Sequence, residues 1–190
     1  MLALPFKSRL TFLESRFKNE YMDISLDFKK HSIYRIKESH QRIIACLDLL
    51  DESQIWLKPN SALNSMGNLV LHLCGNITQY ILSTLGGAPD DRNRDAEFAA
   101  VGGKTKEELK TLFNFVIEKS IDTIYKCSDE ELTISKKVQV YELTGVGIII
   151  HVTEHLSYHT GQIAFLTKLL LEKDLGFYAG FDLNQKHPKN

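Results

Sequence analysis

Apolar residues return every three or four positions through most of this chain, and that rhythm restricts it to helical folds. From Ile33 onward, Ile36, Ile43, Ile44, Leu47 and Leu50 keep the step. An earlier run of Phe12, Phe17, Tyr21, Ile24 and Phe28 carries it back to about Ser8. The reading is one long first helix, or two in tandem with a break near Asp23 to Ser25. Asp51 to Ser65 contains Pro59, which interrupts any helix running through it, and is read as a loop. A second helix is expected from about Ser65 to Leu85, with Met66, Leu69, Leu73, Ile77, Tyr80 and Ile81 as its apolar stripe and Gly86-Gly87 as its stop. Ala88 to Lys104, rich in Asp, Arg and Gly, is expected to be a loop with Arg92 and Arg94 in solvent, the alternative being that they bind an anionic group near the bundle mouth. Thr105 and Glu108 have the spacing of a capping box and open a third helix, with Leu109, Leu112, Phe113, Val116, Ile117 and Ile124 facing inward.

The β-branched stretch Leu132 to Glu142 predicts a short extended or hairpin segment. A fourth helix follows from about Leu143 through Lys173. The fold expected is therefore an all-α four-helix bundle with a short extended or hairpin insert before the last helix. It forms one domain, residues 1–176, followed by a polar and partly mobile tail, 177–190.

Lys plus Arg number 23 and Asp plus Glu 24, so charge gives no case for a nucleic-acid or anionic-membrane partner. No segment reaches the roughly 18 apolar residues that span a bilayer. The apolar start, Met1 to Leu13, is broken by Pro5, Lys7 and Arg9 and does not read as a signal peptide. Cys46, Cys74 and Cys127 are scattered and lack C-x-x-C spacing, as expected of reduced thiols. The expected location is the cytoplasm.

Chemistry is concentrated in histidine. His31 and His187 lie in polar surroundings, and His40, alone in an apolar rhythm, reads as a hydrogen-bonded core residue. The fourth helix carries His151, His155 and His159 at steps of four. Four residues of α-helix rise about 6 Å and turn roughly 40° past a full turn, so neighbours in this row can chelate one ion. The outer two lie roughly 12 Å apart along the axis, so one member must do something else. His72 sits on the inward stripe of the second helix, and burying several imidazoles without a shared partner is costly. By spacing alone, a metal site and a set of separately satisfied core histidines both remain open. Cys74, two residues from His72, points to another side of its helix, so no Cys–His metal pair is expected. Tyr158 and Gln162 lie close enough to the row to hold a histidine ring. The peptidase motif H-E-x-x-H is excluded because Leu156 follows His155. Its inverted form does occur from His151 to His155, with Glu154 as base, but it strands His72 and His159.

Two stretches, Asn64-Ser65-Met66-Gly67-Asn68-Leu69-Val70-Leu71-His72-Leu73-Cys74-Gly75-Asn76 and His151-Val152-Thr153-Glu154-His155-Leu156-Ser157-Tyr158-His159-Thr160-Gly161-Gln162-Ile163, resemble the DinB-like superfamily (DinB and YfiT-like) of bacterial metal-binding four-helix bundles. The segment Arg92 to Phe98 resembles an acidic and basic stretch of one branch, and Thr160 stands where the superfamily usually has arginine. The resemblance implies His72, His155 and His159 as metal ligands, with His151 beside them as a supporting or packing residue. Neutral imidazoles suit one divalent transition metal, zinc or nickel, and three ligands leave a position open. The implied function is a metal-dependent enzyme that activates a low-molecular-weight thiol in an S-transferase-like reaction on a small-molecule substrate. A metal-dependent hydrolase and a non-enzymatic metal-binding stress protein are the alternatives. A homodimer is compatible with all three.

Overall fold

A computed structural model describes residues 23–187. Helix α1 spans Ile24–Leu49 and starts where the break was expected: the Asp23 carboxylate accepts from the amides of Ser25 and Leu26. The apolar run from Ser8 to Tyr21 lies outside the described residues. The expected loop after α1 contains a short helix, α2 (Glu52–Trp56), opened by a capping box of Asp51 and Gln54. Helix α3 (Met66–Ile77) opens on a buried box of Ser65 and Asn68.

From Thr78 to Leu85 the same rod continues with π-helical winding rather than as the α-helix expected. The bonds widen to match: Gly86 N–H donates to Ile81 O at 2.9 Å, and Ala88 N–H reaches back to Leu82 O. Gly87, at φ +75°, turns the chain out of the helix.

A second departure lies in the Asp- and Arg-rich segment, where Arg94–Ala99 forms a short helix, α4, capped by the Asn93 side chain. Helix α5 (Lys106–Lys126) carries the predicted box of Thr105 and Glu108. A short helix, α6 (Asp129–Thr133), then leads into an antiparallel hairpin, β1 (Ser135–Val138) and β2 (Tyr141–Thr144), paired from Ser135↔Thr144 to Val138↔Tyr141. Its tip residue Gln139 is left-handed at φ 53°. Helix α7 (Gly145–Leu171) follows, capped by Thr144.

The four long rods close into a ring: α1 packs on α5 and α7, and α3 with its π-helical end packs on the same two from the other side. Ile36, Ile43 and Leu47 of α1 meet Leu73 and Ile77 of α3, Phe113 and Ile117 of α5, and Ile148, Val152 and Leu156 of α7 in one buried core. Each such side chain contributes about 1.5–3 kcal/mol of burial. The small helices pack on the long ones, α2 and α4 on α3 and α6 on α7. Trp56 lies over Gly67, where a Cβ would come within 2.6 Å of its ring, and its indole N–H donates to Lys104 O. Past α7, Phe177 packs against the core, and the Arg42 guanidinium lies over the rings of Phe177 and Tyr178. Among the described residues no helix is long and apolar enough to cross a membrane.

Candidate metal centre

Helices α3 and α7 run side by side, and their inward faces bring His72 against His155 and His159. The i, i+4 spacing on α7 stacks the latter pair on one side. The His155 Nε2 atom lies 3.1 Å from His72 Nε2 and 3.1 Å from His159 Nε2. One ligand atom from each residue fits within a 4.8 Å span. Two nitrogens bound to one zinc at about 2.0–2.1 Å stand about 2.9–3.4 Å apart, depending on the angle. The spacing fits a shared ion.

What the far sides of the rings touch decides which nitrogen is free. His159 Nδ1 donates to Gln162 Oε1 at 2.7 Å, and His72 Nδ1 lies 3.0 Å from Glu97 Oε2. An oxygen on Nδ1 favours the tautomer that carries the proton there, in which Nε2 is a bare lone pair. In that tautomer the Nε2 lone pairs of His72 and His159 both face His155, whose own Nδ1 is buried without a hydrogen-bond partner. A proton on His155 Nε2 can serve only one of these two lone pairs, whereas a shared cation serves both. These three imidazoles are thus able to hold a metal ion.

The electrostatics agree. His155 is pushed down to about 3, first by burial and then by the charges of His159, His72, His151 and Arg92. Burial also lowers His159, against the opposing hydrogen bond that its ring donates to Gln162. Both rings therefore stay neutral, the form that binds metal.

The remaining histidines separate from this group. His151 is sandwiched: its ring stacks on Tyr80 at 4.3 Å and on His155 at 5.7 Å with only 12° between planes. Nearly parallel stacked rings aim their nitrogens along parallel lines, which does not suit joint chelation by His151 and His155. His40 Nε2 contacts Asn114 Oδ1 at 2.6 Å and its ring lies near Phe113, a satisfied core arrangement. His31 is exposed beside Asp27. The Thr160 hydroxyl donates to Leu156 O within its own helix. Tyr158 is exposed and presents its ring edgewise to His159 at 5.1 Å.

One residue pair escaped the sequence reading. Arg92 was expected in solvent, yet its side chain is 4% exposed and holds Glu97, 10% exposed, through Nε and Nη2 at 2.8 and 2.9 Å. Burial works to raise the Glu97 carboxyl, but its hydrogen bonds from Arg92 and His72 outweigh it and hold the group low. Arg92 Nη1 continues the chain of bonds to Gln79, which accepts from Gln139 at the hairpin tip, and Gln139 in turn accepts from the Tyr80 hydroxyl. Arg94 does remain outside, over the Phe98 ring. The signal available in the sequence was the Arg92 to Phe98 stretch itself, whose charges looked like those of a solvated loop.

Residues 23–178 match the model of a family described as "Protein of unknown function (DUF1572)". Among solved structures, a conserved protein from Enterococcus faecalis superposes with a TM-score of 0.63 at 15% identity, over 76% of this chain and 97% of that one. DinB-like proteins from Bacillus subtilis (YjoA) and Bacillus cereus superpose with TM-scores of 0.58 and 0.59 at 16% and 14% identity. They cover 74% and 75% of this chain, and 91% and 90% of their own lengths. Among curated proteins none matches the sequence.

Proposed function

The chain belongs to the DUF1572 family and has the DinB-like helical fold, and on that premise we propose that it is a metal-dependent enzyme whose ion is held by His72, His155 and His159. The ion is divalent and of the first transition row, zinc or nickel, because three neutral imidazoles form a moderately soft nitrogen set. The observation that carries the reading is the meeting of three Nε2 atoms at 3.1 Å steps while oxygens occupy the far nitrogens of two of the rings. When bound, such an ion supplies Lewis acidity at an open position, where it favours the thiolate form of a low-molecular-weight thiol.

The chain's own residues do the positioning. Gln162 and Glu97 hold the rings of His159 and His72. Tyr158 and Gln162 also line a depression of about 490 Å³, together with Leu63, Leu69, Phe165, Leu166 and Leu169. An apolar portion of a small substrate fits there, next to Gln162, which contacts His159, and this favours a catalytic centre over a purely structural one. A reducing compartment, the cytoplasm, suits the three free and buried cysteines.

The test is a thiol panel. Metal-loaded protein is mixed with glutathione, mycothiol or bacillithiol and a set of electrophiles, and thiol consumption is followed. The expected result is turnover with one thiol that disappears in His159→Ala. Inertness toward every thiol, with hydrolysis of an ester or amide set instead, transfers the reading to water activation. A wild-type protein that retains no metal after reconstitution overturns it altogether.

A further inference from the structure

The buried Arg92–Glu97 pair is not needed to bring three histidines together, and burying two charges is weak in net stability. Its surroundings are nonetheless built for it. Asn68 Nδ2 donates to the carbonyls of Glu97 and Ala100 at 2.9 and 2.7 Å, fastening α4 onto α3. On α3 itself, Gly75 leaves the space in which the pair sits. A Cβ there would overlap Glu97 Oε1 and would stand 2.8 Å from Glu97 Cδ and 3.0 Å from Arg92 Nε. Glycine is the weakest helix former after proline. Here it stands in a helix interior, on the surface where only the ion pair needs room.

We infer that Glu97, clamped by Arg92 in the cradle that Gly75 leaves open, is a positioning residue that locks His72 as its Nδ1–H tautomer and so turns the Nε2 lone pair toward His155 and His159. A competing arrangement exists on the same atoms. Arg92 Nη2 lies 3.2 Å from His72 Nδ1, and an unprotonated Nδ1 would accept from it, leaving an Nε2–H aimed into the site and unable to bind metal. The carboxylate approaches more closely, can only accept, and already takes the Arg92 Nη2 proton on the same oxygen. It selects the binding tautomer. The effect on metal affinity rests on the proposed function above; the tautomer does not.

The experiment uses the full-length protein labelled with ¹⁵N at histidine, with His72→Asn identifying the His72 signals. In metal-free protein, imidazole ¹⁵N–¹H spectra are expected to show His72 protonated at Nδ1 and bare at Nε2. Gly75→Ala raises helix propensity and on local grounds favours the fold, yet it is expected to erase the tautomer preference and weaken zinc binding about 10–100-fold. Glu97→Ala should do the same. In that background Gly75→Ala should add nothing, because the space is already vacant. Glu97→Gln, which keeps the shape and one acceptor oxygen, guards against loss of folding and is expected to retain part of the preference. An Nε2–H tautomer in the wild type, or a Gly75→Ala protein unchanged in both spectrum and affinity, overturns the inference. A wild type with the Nδ1–H tautomer but no affinity for zinc supports the inference and sinks the metal reading instead.

Discussion

Each histidine of α7 is assigned by what its ring faces, and spacing alone could not do this. His159 turns Nδ1 to Gln162 and Nε2 to His155, whereas His151 spends its ring face on Tyr80. Removing one of three ligands breaks a chelate, so His72→Ala and His159→Ala are each expected to lose most of the bound metal. His151→Ala should keep it, with at most a modest loss through the stack on His155. Elemental analysis of untagged protein, with circular dichroism to confirm the helices, reads the result. An empty site in His151→Ala together with a full one in His159→Ala would reinstate the inverted peptidase motif. Acid should act on the same atoms. Metal binding requires unprotonated rings, and protons reach His155 only toward pH 3, with His159 also held below its ordinary range. Metal retention is therefore expected to persist below pH 6.5, the ordinary histidine value, and to fail further down. Loss complete by about pH 6 would show that these rings are not held in the environment described.

At the scale of elements, what was legible in the sequence was whatever keeps a helical period over several turns. Thr105 and Glu108 announced α5 because a periodic apolar run follows them, and the His151 to His159 row announced a face because it repeats at helical spacing. Helices α2 and α4, five and six residues long, are too short to show a period and were read as loops. The π-helical winding of Thr78–Leu85 was equally hidden, since Tyr80, Ile81 and Leu85 keep their apolar places under either winding. Glu97 was missed for a different reason: its partners lie on α3 and in the preceding loop, and only tertiary packing turns its charge inward. Glycines of α7 show how packing decides sign. A Cβ at Gly145 would overlap the Glu131 carbonyl and come within 2.8 Å of Leu132 Cα, both backbone atoms that cannot rotate away. At Gly161, exposed in the helix interior, a Cβ meets nothing within 4 Å. Gly145→Ala is accordingly expected to destabilise the protein by about 1–3 kcal/mol. Gly161→Ala should stabilise it by roughly 0.5–1 kcal/mol through helix propensity. Urea unfolding of both variants measures the two signs, and a Gly145→Ala protein as stable as wild type would refute the packing of α6 against the start of α7.

For the whole molecule, the consequence of this site is that metal binding and folding are linked. His72 and His155 are 83 residues apart in sequence, so the unfolded chain does not present the three rings together and the ion binds the folded state. Free metal at 100 times its Kd should then add about 2.7 kcal/mol, which in a domain of this size raises Tm by roughly 5–11 °C. The metal-free protein has its own dependence on acid. Unfolded histidines protonate near pH 6.5, whereas His155 stays neutral in the fold until about 3, and His151 and His159 are lowered by burial as well. Below about pH 6.5 the unfolded chain therefore takes up protons that the folded chain refuses, and stability falls as pH drops toward 3. Above 6.5 this loss is absent. Thermal unfolding should accordingly be followed from pH 8 to pH 4, with added zinc and with a chelator. The expected pattern is a higher Tm with zinc at pH 8, a difference between the two curves that shrinks as pH falls, and a chelator curve that itself declines below about 6.5. His159→Ala should remove the zinc-induced rise at every pH. It should leave much of the acid decline of the chelator curve, because His155 remains buried beside His72. A zinc-induced rise that survives in His159→Ala, or a chelator curve flat between pH 7 and pH 4, would place the ion and the acid-sensitive groups elsewhere in the molecule.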